Sequence, residues 1–214
     1  MRFRSKNGSH GGSSSATQRR RTARQGASLL FSVLIIFCGI VCGGAQRSDG
    51  QINTTAEYKV KAAFLYNFAK FIEWPPQTFP GGNSPIILCV YGSDPFRGEL
   101  EATVLGKKID GRGFETRHMN RIEELRVCHM VFVSEAEAKR APEILAALKD
   151  APLLVVGESQ GFAAEGGEIQ FVLEDGKVHF LVNTDAVGRA HLKVSSKLLS
   201  LAQIVRDGVG GKEN

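Results

Sequence analysis

The clearest catalytic spacing in the chain is Gly157-Glu158-Ser159-Gln160-Gly161, a G-x-S-x-G pattern directly after the apolar run 153–156. In a serine hydrolase this pattern forms a sharp strand-to-helix turn that exposes the serine, while backbone N–H groups hold the oxyanion. The acid and the base would come from Asp175 or Asp185 with His179 or His191. A helix must follow the serine at once, and Phe162-Ala163-Ala164-Glu165-Gly166-Gly167 is too short and too glycine-rich to supply one. The spacing therefore predicts a surface loop at Ser159, with serine hydrolysis kept as an alternative reading.

Other groupings assemble less. Gly111-Arg112-Gly113 lacks the third glycine of a dinucleotide fingerprint and precedes a strand, where that fingerprint opens a helix. Cys128 and His129 are neighbours in an extended run, so their side chains point to opposite faces. No CxxC or HxxxH completes a metal set. Glu123-Glu124, Glu135 and Glu137 read as solvated helix faces, and His118 and His179 as structural positions on half-exposed strands. Glu174-Asp175 with Asp185 are cation candidates, but turn chemistry accounts for the first pair alone. Neither a catalytic set, a metal nor a cofactor is expected.

The elements around these residues alternate between β and α patterns. Thr54-Thr55-Ala56-Glu57 has capping-box spacing and predicts a helix to residue 73. Its two apolar stripes leave only a narrow strip with Lys59, Lys70 and Glu73 to water, and Trp74-Pro75-Pro76 ends it. Buried strands are predicted at 86–91, 128–133 and 153–156, and a half-exposed one at 114–119. Asp94-Pro95 predicts a helix start, and Pro142 opens another helix with Ile144, Leu145 and Leu148 inward. Runs 169–173 and 178–182 flank Glu174-Asp175-Gly176-Lys177 as a hairpin. A short helix at 184–190 and a longer one from Ser196, with Leu198, Leu201, Ala202 and Val205 in one stripe, close the chain. The fold class is α/β, a single three-layer domain with a mixed, mostly parallel sheet flanked by helices and a C-terminal β-hairpin and helices.

Charge divides the 214 residues unevenly. Residues 1–45 hold seven basic side chains and no acid, so the formal net charge of +5 becomes −2 without them. The folded part has no basic excess, which excludes a nucleic-acid footprint. The basic stretch precedes a 16-residue apolar run, 27–42, and then Gly43-Gly44-Ala45. Sixteen helical residues rise roughly 24 Å, short of an about 30 Å hydrocarbon core. This predicts a signal peptide over 1–45 cleaved near Ala45, and hence a periplasmic protein; an uncleaved anchor is the alternative. The other divisions are a polar linker at 46–56, the domain at 57–207 and a flexible tail at 208–214. Only Cys89 and Cys128 remain after cleavage. Paired, they close a loop of about 40 residues, worth roughly 4 kcal/mol; two buried free thiols are the other reading.

Several stretches resemble the YfiR-like family. They are Tyr58-Lys59-Val60-Lys61-Ala62-Ala63-Phe64 running on to Phe71-Ile72-Glu73-Trp74-Pro75, then Leu88-Cys89-Val90-Tyr91-Gly92-Ser93-Asp94-Pro95, and Cys128-His129-Met130-Val131-Phe132-Val133-Ser134. The similarity continues through Leu154-Val155-Val156-Gly157-Glu158-Ser159, Gly161-Phe162-Ala163 and Leu192-Lys193-Val194-Ser195-Ser196-Lys197-Leu198-Leu199, spanning roughly 57–206. Glu168 and His179 stand where small or apolar and basic residues respectively are more usual. The resemblance implies a periplasmic, non-catalytic regulator that represses an inner-membrane diguanylate cyclase or similar sensor by binding its periplasmic region. It also implies cysteines that tie folding to redox state. A small-ligand-binding protein is a further alternative, and a second copy of the chain is a candidate partner.

The residues themselves suggest where a partner would bind. Strand 178–182 is the last one read, which makes it an edge with unpaired backbone groups. It leads through Asn183 and Thr184 into a helix too short to be stable alone. Phe180, Asn183, Thr184, Val187 and Leu192 are accordingly the candidate partner-binding residues. The competing reading packs Val187 and Leu192 under the final helix.

Overall fold

A computed structural model describes residues 49–208, with side chains from residue 54; the segment read as a signal peptide and residues 209–214 of the tail lie outside the described residues. The first helix, α1 (Asp49–Phe71), begins inside the segment read as a linker. Thr54 and Thr55 are therefore interior helical positions and not a cap. Gly50 is the only strong breaker in those first turns, and helix propagates readily once a packed face anchors it. Ala62, Leu65, Phe68 and Ala69 form that face and are fully buried. Val60 and Ala63 are exposed, so the helix is covered on one broad side and not two. It ends ahead of Trp74-Pro75-Pro76 in β1 (Ile72–Glu73), which pairs antiparallel with β8 (Lys193–Val194).

Seven strands make the main sheet: β2 (Ile86–Tyr91), β3 (Phe114–Met119), β4 (Met130–Val133), β5 (Leu154–Gly157), β6 (Ile169–Glu174), β7 (Lys177–Asn183) and β9 (Gln203–Val205). Their order is β3-β2-β4-β5-β6-β7-β9. Pairing is parallel from β3 to β6, antiparallel in the β6–β7 hairpin, and parallel again between β7 and β9. The hairpin turns at Asp175 and Gly176, both at positive φ (49° and 71°), as a two-residue turn requires. The central strands read as unbroken apolar runs because both faces are covered. Leu88, Val90, Met130, Phe132, Leu154 and Val156 pack with α1 and with α2 (Glu99–Val104). Cys89, Tyr91, Val131, Val133 and Val155 pack with α3 (Ala141–Leu148) on the other face. This is the three-layer α/β architecture expected from the sequence.

Two local expectations give way to stronger pairings. The Asp94 carboxylate does not cap a helix; it accepts Phe96 N–H at 2.8 Å in a turn, and α2 starts only after Arg97 and Gly98, both at positive φ. The final helix is also shorter than predicted. α5 spans Ser196–Leu199, and Gln203–Val205 then extends as β9 beside β7. β9 pairs with Leu181–Asn183 of β7, whose outer N–H and C=O groups a continued helix would have left bare. So the C-terminal half of β7 is internal, with β9 as the last strand of the sheet. Leu201, read as part of a buried stripe, is exposed.

The disulfide between Cys89 and Cys128 joins β2 to the segment entering β4, with Cα atoms 6.0 Å apart and both residues buried. His129 follows it as a structural residue. Its Nδ1 accepts Ile87 N–H at 3.0 Å, and its ring stacks on Phe79 at 4.5 Å, with Arg112 on the same Phe79 ring at 4.0 Å. Burial holds its pKa below the ordinary 6.5, and nearby Arg112 adds to the effect. The unfolded chain therefore binds the extra proton more readily. Stability from this group is full above pH 6.5 and is lost as pH falls towards the depressed folded value. Urea titrations at about pH 7.5 and 5.5, either side of the unfolded value, are expected to show a larger acid-induced loss for the natural chain than for His129→Gln.

Candidate functional site

In doubly wound sheets the C-terminal ends of the parallel strands line the binding crevice. Here that end carries Ser134 after β4, and Glu158 and Ser159 after Gly157, the last residue of β5. The G-x-S-x-G pattern does not make a nucleophile elbow. Ser159 is 6% exposed, buried and not in a surface loop as the spacing predicted. Turns, with no helix, follow it, and its carbonyl accepts Phe162 N–H at 3.1 Å. Neither His179 nor His191 is hydrogen-bonded to it; His179 lies on β7 opposite Val172, and His191 is exposed after α4 (Thr184–Arg189). Asp175 is a turn residue, and Asp185 lies in the first turn of α4.

Packing explains the glycines. A Cβ on Gly157 would lie 2.5 Å from the Phe162 ring, and one on Gly167 2.2 Å from it and 3.0 Å from the Phe162 carbonyl oxygen. Phe162 is a fully buried plug whose ring requires both glycines. Gly167→Ala is expected to cost about 1–3 kcal/mol through overpacking, read as a lower urea midpoint with unchanged slope.

Glu158 is the polar centre of that end. Its Oε1 accepts from the Tyr58 hydroxyl at 3.0 Å and from Glu135 N–H at 2.8 Å. Lys61 Nζ lies 2.5 Å from Glu158 Oε2 and 2.5 Å from Glu57. The same ammonium sits 4.6 Å from the centre of the Tyr58 ring. The Lys61 and Glu158 side chains are both buried, so α1 is pinned across the crevice by a desolvated ion pair. Burial, reinforced by the Glu158 charge, raises the Tyr58 hydroxyl above its ordinary range. Sequence reading did not single out this network, since its partners lie about 100 positions apart. The available signal was Lys61 itself, placed within the buried arc of α1 between Tyr58 and Leu65.

The structure places the candidate partner-binding residues mostly in the core. Phe180 is buried, and Asn183, Val187 and Leu192 are 0%, 6% and 5% exposed; only Thr184 is half-buried. The competing reading holds for Val187 and Leu192, which pack in the cluster that also holds Leu198 of α5. Asn183 caps the helix as its type suggests, its Oδ1 accepting from Asp185 and Ala186 N–H at 3.0 Å each. Its amide donates to the Ala163 carbonyl at 2.6 Å and to Asp207 at 2.7 Å. Asp207 also pairs with Arg189. What this segment offers solvent is Asp185, Gly188 and His191, with Arg189 half-buried.

A mostly parallel sheet wound on both sides, closed by a hairpin and stapled by the Cys89–Cys128 disulfide, defines a three-layer α/β domain whose C-terminal crevice is plugged by its own first helix. The chain belongs to the YfiR/HmsC-like family, whose model matches residues 58–203. No curated protein matches it. Among solved structures it is similar to an "ABC domain" in complex with L-Trp from Streptococcus pneumonia. That match has 11% identity and a TM-score of 0.45, covering 70% of this chain and 60% of the other. A conserved domain protein from Vibrio cholerae O1 biovar El Tor gives 11% identity and a TM-score of 0.45, covering 67% and 59%. The chain thus spans about 60% of the length of these solved structures.

Proposed function

We propose that this protein is an exported, non-catalytic regulator that binds and represses the periplasmic sensor region of an inner-membrane signalling protein of the diguanylate cyclase class. The observation that carries this reading is family membership across 58–203. The internal disulfide supports it, since such bonds persist in oxidising compartments. The mechanism is linkage: a domain that binds only the inactive form of a receptor shifts its equilibrium by the differential affinity. A hundredfold preference is about 2.7 kcal/mol, enough to silence a receptor whose two forms are nearly balanced.

Of the segment 180–192, the exposed Asp185, Gly188 and His191 are what a partner can reach, and the buried Phe180, Asn183, Val187 and Leu192 are not. Gly188 is exposed, has a non-positive φ, and a Cβ added there would meet nothing within 4 Å. A large side chain there alters the surface without disturbing packing. Deleting the gene is expected to raise cellular cyclic-di-GMP, the natural gene to reverse the rise, and Gly188→Arg to accumulate folded protein without reversing it. Unchanged cyclic-di-GMP on deletion contradicts the proposed output, and full reversal by Gly188→Arg contradicts the contact surface.

A further inference from the structure

A cleft of about 580 Å³ opens on the α3 face of the sheet, between α3, residues 164–168, Arg189 and Asp207. One wall is apolar, from Pro142, Leu145 and Ala146. The other holds Glu168, only 8% exposed. Its Oε2 accepts Val155 N–H at 2.9 Å, covering a strand position that β6 begins too late to pair. No Lys or Arg nitrogen lies within 4.0 Å of this carboxyl among the described residues. Arg189 is engaged by Asp207. Four carboxyl groups line the cleft (Glu165, Glu168, Asp150, Asp207) against two cations (Lys149, Arg189), a balance of −2 when all are ionised.

We propose that this cleft binds a small organic cation, an ammonium on an apolar stem, with the ammonium against Glu168 and the stem along Leu145 and Ala146. A carboxylate taken out of water without a cationic partner is costly, and a bound ammonium supplies the missing charge. Apolar walls around a few placed polar groups are the ordinary make-up of a small-molecule site. Burial pushes the Glu168 carboxyl up to about 7, the Arg189 charge lowering it and the Asp207 charge raising it. Lys149, Asp150 and Glu165 face the same space. Cation binding then competes with a proton and strengthens as pH rises. The cleft adjoins the partner contact proposed above at Arg189, and amine binding is read without the partner.

The test is calorimetry on the full chain with 2-phenylethylamine, and with phenylacetate as the anion of matching shape. The amine is expected to bind one to one, about tenfold tighter at pH 8 than at pH 6, with phenylacetate silent. Glu168→Gln keeps an acceptor for Val155 N–H and is expected to weaken binding at least tenfold while its circular dichroism is retained. Ala146→Trp, at an exposed helical position on the apolar wall, is expected to block the cleft and serves where the first variant fails to fold. Absence of amine binding at pH 8, equal binding of phenylacetate, or natural affinity in both variants overturns the proposal.

Discussion

Lys61→Met is expected to lower the stability of the domain by about 3–5 kcal/mol, because it leaves the buried Glu158 carboxylate without its cation. Glu158 would retain only Glu135 N–H and the Tyr58 hydroxyl, 2.8 and 3.0 Å away. Those donors do not neutralise a charge held out of water. The double variant Lys61→Met with Glu158→Gln removes both charges and is expected to recover most of the loss. The recovery is the informative part, since it separates the cost of an unpaired charge from lost packing of the lysine stem. Urea unfolding of the single and double variants reads it. A single-variant loss below about 1 kcal/mol would mean that water reaches Glu158 and that α1 is not pinned there.

Cys89→Ser is expected to cost about 4 kcal/mol, from the loop-closure entropy of a crosslink spanning 39 positions. For a domain whose whole stability is of order 5–15 kcal/mol, that is a large fraction. Under the proposed repressor mechanism the same change weakens repression by the share of protein it leaves unfolded, because an unfolded repressor has no differential affinity. Reduction of the natural protein is expected to lower its urea midpoint to that of the variant. Coincident midpoints for oxidised and reduced protein would show that the bond does not constrain the unfolded chain.

The layers of the fold were legible because they rest on local periodicity. Residues 86–91 and 153–156 read as doubly covered strands, Pro142 opened a helix, and Asp175-Gly176 made the hairpin turn. What went astray depended on partners far along the chain. Residues 200–205 carry a helical stripe, yet the open edge of β7 draws Gln203–Val205 into the sheet. A capping box at Thr54 predicts a start, yet α1 continues upstream of it. Asn183 looked like a cap and is one, but its burial follows from Ala163 and Asp207, 20 and 24 positions away on either side. Glu158 appeared only as the second residue of a chance hydrolase pattern. Its pairing with Lys61 became visible once α1 lay across the sheet.

The central claim is that this domain acts by holding a membrane signalling protein. The most direct measurement is site-specific photo-crosslinking in living cells from position 188 of the full chain, followed by identification of the adduct. The expected result is a covalent product with the periplasmic portion of an integral membrane protein bearing a cytoplasmic signalling domain, reduced in Cys89→Ser cells along with the folded protein. Adducts with soluble proteins alone, from a chain that accumulates folded and oxidised, would contradict it.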